Sequence, residues 1–160
     1  MSEPTHPAAD IDDVDRSILK ILQSDGRTAL SEIARRLDMG SATIHERVRT
    51  LEEHGFIREY RAVLDPELLG IDEVAFVNVE ANPGRFAEVG ERIAEHRSVQ
   101  EVHELTGAAD LLVKVRVRGR EGLSDFLSTL GEYDGVQKTS TNVALRTVKE
   151  ESRLDLNGDD

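Results

Sequence analysis

The chain of 160 residues contains no cysteine and no tryptophan, and aromatic residues make up only 4% of it. Without thiols it can form no disulfide and can offer neither a thiolate metal ligand nor a cysteine nucleophile. No apolar run approaches the ~20 residues that a membrane-spanning helix requires, and the first residues lack the pattern of a signal peptide. We therefore expect a cytoplasmic protein without a membrane segment.

Positive charge is also scarce. The chain has 32 acidic residues but only 20 basic ones, and only four of the basic residues are lysine. The residues up to Asp65 carry 13 acidic and 9 basic side chains, a net charge of −4, and the remainder carries 19 and 11, a net charge of −8. An acidic surface that prefers arginine to lysine indicates a halophilic cytosol, where ~1 M salt screens charges beyond about 3 Å. The alternative is ordinary acidity with a locally positive face.

Several kinds of active site find no support in the sequence. Residues 119–122 have neither the lysine nor the spacing of a phosphate-binding loop, and the five histidines show no zinc spacing. The acidic run at residues 12–15 lacks the glycine and the distal glutamate of a calcium loop, so it indicates the start of a helix. We predict no catalytic residue, no cofactor and no metal site.

Residues 11–63 carry the apolar spacing of three short amphipathic helices. Each helix has one apolar stripe: Val14, Ile18, Ile21 and Leu22; Leu30, Ile33, Ala34 and Leu37; Ile44, Val48 and Leu51. Asp12 or Asp13 can cap the first helix, and Gly40 or Ser41 the third. We expect Gly40 to supply the unusual backbone angles of the turn before the third helix, with Met39 filling the corner and Gly55 ending that helix.

This order of elements predicts a winged helix-turn-helix, in which Phe56–Ile57 pairs with Arg61–Val63 as a two-stranded wing. Such a fold places its third helix in the major groove of DNA. Short polar groups and arginines remain after the buried positions are subtracted, so the predicted DNA contacts are Ser41, Ala42, Thr43, His45, Arg47, Arg49, Arg58 and Arg61. The alternatives are a merely solvated face, since glutamates share this helix, or a dimer contact.

The second half alternates strand and helix patterns in the order βαββαβ, which predicts an α+β protein with a ferredoxin-like second domain. Strands are expected at residues 74–79, 99–105, 111–118 and 139–146, and helices around Phe86–Ile93 and Leu123–Leu130. We place domain 1 at residues 1–63, a hinge at 64–70, domain 2 at 71–150 and a flexible acidic tail at 151–160, with residues 1–10 loosely ordered. Because one sheet face has no cover in the chain, we predict a two-fold homodimer built through that sheet.

Residues 11–150 resemble the Lrp/AsnC (leucine-responsive, feast/famine) family of transcription regulators. The motifs that carry the resemblance are Asp15, Ile18, Leu22, Asp25-Gly26-Arg27, Glu32-Ile33-Ala34, Glu46-Arg47-Val48-x-x-Leu51-Glu52-x-x-Gly55-Phe56-Ile57, Asp65-Pro66-x-x-Leu69-Gly70 and Thr106-Gly107-x-x-Asp110-Leu111-Leu112-x-Lys114-Val115. The resemblance implies sequence-specific binding of double-stranded DNA, dimers that assemble into octamers, and a small effector, usually an amino acid, bound between dimers.

Carried over to this chain, the resemblance implies an effector site near the loop of Thr106, Gly107 and Asp110, with Thr139, Ser140 and Thr141 as further candidates. The carboxylate can take a ligand ammonium, and loop amides and hydroxyls can take its carboxylate. The structural alternative is a hairpin turn at Gly107 in which Asp110 caps local backbone amides. Ala108 and Ala109 depart from the family pattern, which often has polar or bulky residues there, and so does Leu111, where tyrosine is frequent.

Two other functions fit the same architecture. Sirohaem decarboxylases resemble this family, and an enzyme of that kind would need partners for propionates, which His103, Arg116 and Arg118 could supply. The polarity of the third helix argues against that enzyme. The other alternative is an amino-acid sensor that docks to proteins and does not bind DNA.

Overall fold

The computed structural model describes residues 11–156. The predictions for residues 1–10 and for the last four residues lie outside this range. The described residues divide into two compact units, one formed by residues 11–63 and 151–156 and the other by Leu64–Glu150. No helix in the described part of the chain is long and apolar enough to cross a membrane.

The first unit is a three-helix unit of α1 (Asp13–Ser24), α2 (Leu30–Arg36) and α3 (Ser41–Glu53). α1 begins with a capping box, in which the Asp12 carboxylate accepts from the Asp15 N–H at 2.8 Å and the Asp15 carboxylate accepts from the Asp12 N–H at 3.3 Å. The expected apolar stripes meet in one core, whose buried members are Ile18, Leu22, Ile33, Ala34, Ile44, Val48 and Leu51.

In the turn between α2 and α3, the residue with the unusual backbone angle is not the predicted one. Asp38 has φ of +51°, in the left-handed region, whereas Gly40 has φ of −65° and forms the N-cap of α3. Aspartate tolerates this region better than most residues because its short polar side chain can hydrogen-bond locally. Met39 packs against the core as expected, and Gly55, with φ of +77°, follows α3 as expected.

The predicted pairing of Phe56–Ile57 with Arg61–Val63 is wrong for this structure, since residues 54–72 contain no strand. The Ile57 N–H instead donates to the Leu51 carbonyl at 3.1 Å and closes the end of α3. The intervening residues include no glycine or asparagine, which a tight two-residue hairpin favours. The segment therefore leaves α3 as irregular, mostly exposed chain.

Residues 151–156 return to the first unit, a contact that sequence reasoning missed. The Gln23 side-chain amide donates to the Leu154 carbonyl at 2.7 Å and accepts from the Leu154 N–H at 2.8 Å. One side chain of α1 thus satisfies both backbone groups of a residue 131 positions away. The described part of the predicted tail is held against this helix.

The second unit contains β1 (Glu73–Ala81), α4 (Phe86–Ala94), β2 (Val99–Glu104), β3 (Leu111–Val117), α5 (Gly119–Gly131) and β4 (Val136–Val143). The strands form one antiparallel sheet in the order β2-β3-β1-β4, which confirms the ferredoxin-like prediction. The two helices cover one face, and the inward residues of β1 and β3 alternate with outward ones. The core is Ala75, Val77, Val79, Ala81, Val89, Ile93, Leu111, Val113, Val115, Val117, Leu123, Phe126 and Leu130.

The last strand ends at Val143, three residues before the predicted alternation does. Ala144 still donates its N–H to the Val74 carbonyl at 2.8 Å, but Leu145 is fully exposed. In this register Leu145 would lie opposite Glu73, the first residue of β1, but the pairing of the two strands ends at Ala75 and Val143. The chain then leaves the sheet.

The helix-free face of the sheet is partly covered by the same chain, contrary to the prediction that nothing in it covers this face. The Glu150 carboxylate accepts hydrogen bonds from Lys114 and from Arg116, the latter at 2.6 Å. The two cationic side chains are only 14% and 9% exposed. Phe76, on the same face, is 37% exposed.

Candidate nucleic-acid interface and effector loop

α3 presents a polar stripe opposite its buried residues. Ala42, His45, Glu46 and Arg49 follow the spacing i, i+3, i+4 and i+7, so they share one side of the helix, and all four are exposed. We call these four residues the outer stripe of α3. Because their side chains point away from the core of the unit, a duplex can approach them directly.

The N-terminal end of α3 is open to an anion. Gly40 provides no side-chain cap, and the N–H groups of Ser41, Ala42 and Thr43 donate no hydrogen bond within the described residues. These three residues are exposed and short, which lets another molecule come near the backbone. A helix N-terminus of this kind can bind a DNA phosphate through its N–H groups and its dipole.

Arg47 does not lie on the outer stripe, although the sequence predicted it as a DNA contact. Its guanidinium donates to Asp12 and to Asp15 at 2.8 Å each, and its side chain is 29% exposed. Hydrogen bonds to these carboxylates raise the pKa of Arg47. We call Arg47, Asp12 and Asp15 the Arg47 brace, since it ties the start of α1 to the middle of α3.

Arg49 lies on the outer stripe but shares its charge with two glutamates. It donates to Glu46 through two nitrogens, at 2.6 and 3.3 Å, and to Glu53 at 3.1 Å. The hydrogen bond from Arg49 holds the pKa of Glu46 below its usual value, so the pair is ionised at neutral pH. Side chains of all three residues are more than half exposed.

The two arginines predicted for the wing are exposed on the irregular segment after α3. Arg58 makes no ion pair with any residue of the described chain, while Arg61 lies 3.5 Å from Glu59 in a pair that is about two-thirds exposed. Such exposed pairs are weak, so both cations are accessible to phosphate. Tyr60, between them, donates to Glu52 at 2.9 Å.

The predicted effector loop joins β2 to β3, and Asp110 has a structural role in it. The Asp110 carboxylate accepts from the Ala81 N–H at 2.8 Å through one oxygen, and its own N–H donates to the Val79 carbonyl. Asp110 thus caps a backbone amide, as the structural alternative expected, but the amide belongs to the end of β1 and not to its own loop. The other carboxylate oxygen has no hydrogen-bond donor among the described residues.

The rest of this loop is exposed and has unused hydrogen-bonding capacity. Thr106, Gly107 and Ala108 are exposed, and the N–H groups of residues 106–109 donate no hydrogen bond to the described chain. A Cβ built on Gly107 would meet nothing within 4 Å, and its φ is not in the left-handed region. The fold of this chain therefore does not itself require glycine at this position.

The three further candidates on β4 do not converge on one point. Ser140 pairs with Asn78 on the helix-free face, whereas Thr139 and Thr141 lie on the face that the helices cover. Thr139 shares a row of the sheet with Val79 and Leu111, which places it two strands, roughly 10 Å, from the start of β3. Within this unit, no single cleft joins all six predicted effector residues.

The predicted DNA contacts omit Glu46, although the apolar spacing already places it on the outward face of α3. Its spacing of three residues from Arg49 is visible in the sequence and indicates an ion pair. The Arg47 brace carries no such signal, because its partners are 32 and 35 residues away.

Two family models match the chain in consecutive segments. Residues 11–58 match a winged helix-turn-helix DNA-binding model, and residues 74–154 match the Lrp/AsnC ligand-binding domain. Together these matches cover both units described above.

Several known proteins are similar over nearly the whole chain. The HTH-type transcriptional regulator FL11 of Pyrococcus horikoshii is 40% identical over 144 residues, which cover 90% of this chain and 95% of the relative. The structure of Escherichia coli AsnC superposes with a TM-score of 0.84 at 27% identity, over 89% of this chain and 97% of that one. The structure of a Neisseria meningitidis transcriptional regulator in complex with L-methionine superposes with a TM-score of 0.85 at 28% identity, over 92% of this chain and 98% of that one.

Proposed function

Because the chain belongs to the Lrp/AsnC family of DNA-binding transcription regulators, we propose that its outer stripe of α3 reads base edges in the major groove of a specific operator. The family regulates transcription and is not a family of enzymes, which leaves the decarboxylase alternative without support. The proposed contacts are Ser41, Ala42, Thr43, His45 and Arg49 for the groove, and Arg58 and Arg61 for phosphate.

The observation that carries this proposal is the exposure of the outer stripe next to an unblocked helix N-terminus. The N–H groups of residues 41–43 can hold a phosphate while His45 and Arg49 extend toward the bases. Arg47 is left out of the proposed contacts because the Arg47 brace occupies its guanidinium.

The test is selection of binding sites by the full chain from a library of random duplexes, followed by fluorescence anisotropy on the selected duplex. Arg49→Ala should weaken binding by about 1–3 kcal/mol, as is typical of one bidentate contact with a base. Lys20→Ala, on α1, is the matched control with the same loss of charge and should bind almost as the wild type does. Failure of the wild type to enrich any sequence at any salt concentration contradicts the proposal.

We also propose that two copies of the chain associate through the helix-free face of the sheet and that such dimers assemble further, up to an octamer. The partly exposed Phe76 supports this, since it lies on that face among polar side chains. A dimer would present two copies of α3 to half-sites about one DNA turn apart. Light scattering should give a mass of at least twice 17.8 kDa, and a monomer at micromolar concentration would contradict this.

An amino acid is the proposed effector, bound at the loop of Thr106, Gly107 and Asp110. The free oxygen of Asp110 can accept from the ammonium of the ligand, and the unused N–H groups of residues 106–109 can donate to its carboxylate. A second copy of the chain would complete the site. The L-methionine complex of the Neisseria protein supports this class of ligand.

A thermal-shift screen with the twenty amino acids tests this effector, because a ligand of the native state raises the apparent stability by mass action. Asp110→Asn is the sharper variant, since it keeps an oxygen that accepts from Ala81 but removes the charge that attracts an ammonium group. We expect the variant to fold and to lose the response. An equal response of both proteins contradicts the site, and no response of the wild type contradicts the effector.

We further propose that the protein acts in a cytoplasm of high salt, where its net charge of −12 does not repel DNA at a distance. A melting temperature that rises between 0.1 and 3 M KCl is the expected result. A flat or falling profile supports the alternative of ordinary acidity.

A further inference from the structure

The outer stripe of α3 has an acidic residue at its centre, which is unfavourable for binding to phosphate. Glu46 is 64% exposed, follows His45 directly and lies one helical turn from Arg49. A carboxylate there would be repelled by the backbone of any duplex that enters the site. The Glu46 carboxylate can favour DNA binding only where the duplex offers it a hydrogen-bond donor.

The major groove offers such a donor on particular bases. The N4 amino group of cytosine donates to glutamate, and guanine O6 and N7 accept from arginine. The guanidinium of Arg49 has five N–H groups, three of which are used within α3, so two remain for a base. Each Glu46 oxygen keeps a lone pair beyond the one that Arg49 occupies.

The spacing of the two residues matches the spacing of bases. Three residues along a helix correspond to about 4.5 Å, and successive base pairs are about 3.4 Å apart. The hydrogen bonds between Glu46 and Arg49 hold the two side chains together. The pair can therefore contact one base pair or two neighbouring ones as a unit.

We infer that Glu46 is a specificity-determining residue, and that the Glu46–Arg49 pair selects a cytosine next to or paired with a guanine in each half-site. This inference rests on the proposed DNA-binding function and extends it to the base class that is read. Glu46 thereby lowers general affinity and raises discrimination, since it repels backbone phosphate everywhere and gains a hydrogen bond only from a base amino group. Cytosine N4 suits it better than adenine N6, because the N7 acceptor beside N6 repels a carboxylate.

Site selection with Glu46→Gln tests the inference, with Glu53→Gln as the matched control. Both variants lose one negative charge next to Arg49 from exposed positions, so both should fold. In Glu46→Gln the preference for cytosine at one position should fall about ten-fold and shift toward adenine, whose N6 and N7 suit a side-chain amide. Glu53→Gln should bind all sequences somewhat more tightly without changing the preferred one.

A second measurement separates reading by Arg49 from simple charge. Replacing the selected guanine by 7-deazaguanine removes one acceptor, and should weaken binding of the wild type but leave Arg49→Ala unaffected. A selection profile of Glu46→Gln identical to that of the wild type overturns the inference, as does an equal shift in Glu53→Gln. Failure of the wild type to select any sequence overturns the proposed function as well, so the two failures are distinguishable.

Discussion

Replacing Arg47 by alanine should destabilise the first unit, because the Arg47 brace is partly buried. Two charge-assisted hydrogen bonds of 2.8 Å are lost, one to Asp15, which is 16% exposed, and one to Asp12, which is 51% exposed. The bond to the half-exposed Asp12 contributes little. Most of the destabilisation comes from Asp15, which is left without its partner. We expect the loss of both hydrogen bonds to lower the free energy of unfolding by about 2 kcal/mol.

Amide hydrogen exchange of the full chain can measure this loss for one unit at a time. A loss of about 2 kcal/mol corresponds to roughly thirty-fold less protection in peptides from α1 and α3. Peptides from the sheet serve as an internal reference. Arg49→Ala is the control, and it should leave the protection almost unchanged because its ion pairs are exposed.

The brace is refuted if Arg47→Ala keeps the protection of the wild type while it changes the selected DNA sequence, as a base-reading residue would. A double-mutant cycle with Asp15→Asn gives the coupling directly. A coupling energy of at least about 1 kcal/mol is expected, and a value near zero would show that the two side chains do not interact in solution.

Three other predictions concern stability and charge. Gly135→Ala should lower the free energy of unfolding in urea by at least about 2 kcal/mol, because φ of Gly135 is +96° and the added Cβ would lie 2.8 Å from a valine of α4. Gly84→Ala is the control, because Gly84 has φ of +79° but open space around it, and it should cost about 1 kcal/mol. Two arginines of α2 lower the pKa of Glu32 from 4.5 to about 2. The stabilisation by this carboxylate should therefore be complete above pH 4.5 and be lost as the pH falls toward 2. Carboxyl NMR shifts should show Glu32 still ionised at about pH 3, and a titration midpoint near 4.5 would contradict this. Glu150→Gln removes the carboxylate partner of Arg116, which is 9% exposed, and should lower the melting temperature, while an unchanged value would show that the pair contributes nothing.

The periodic parts of the fold could be predicted from the sequence because apolar spacing reports which face of an element is buried. The stripe of Ile44, Val48 and Leu51 gave the correct buried side of α3. The alternation in β3 gave the correct inward residues from Leu111 to Val117. In both elements, burial of one face selects the residue types, so the pattern repeats with the period of the backbone.

Features that depend on a distant partner could not be predicted in this way. Arg47 has the residue type and helix position of a DNA contact, and only the approach of α1 shows that its charge is already satisfied. Similarly, glycine propensity pointed to Gly40, while the left-handed turn residue is Asp38. Local propensity ranks candidates for a turn, but the path of the two flanking helices selects among them.

The bidentate contact between Gln23 and Leu154 means that the first unit is discontinuous in sequence, with the whole of Leu64–Glu150 inserted between its two parts. A fragment that stops at residue 63 would therefore leave a polar amide of α1 without its native neighbour. Fusing residues 151–156 behind residue 63 through a short glycine-serine spacer would restore it. Studies of the helical unit alone should begin from that joined form.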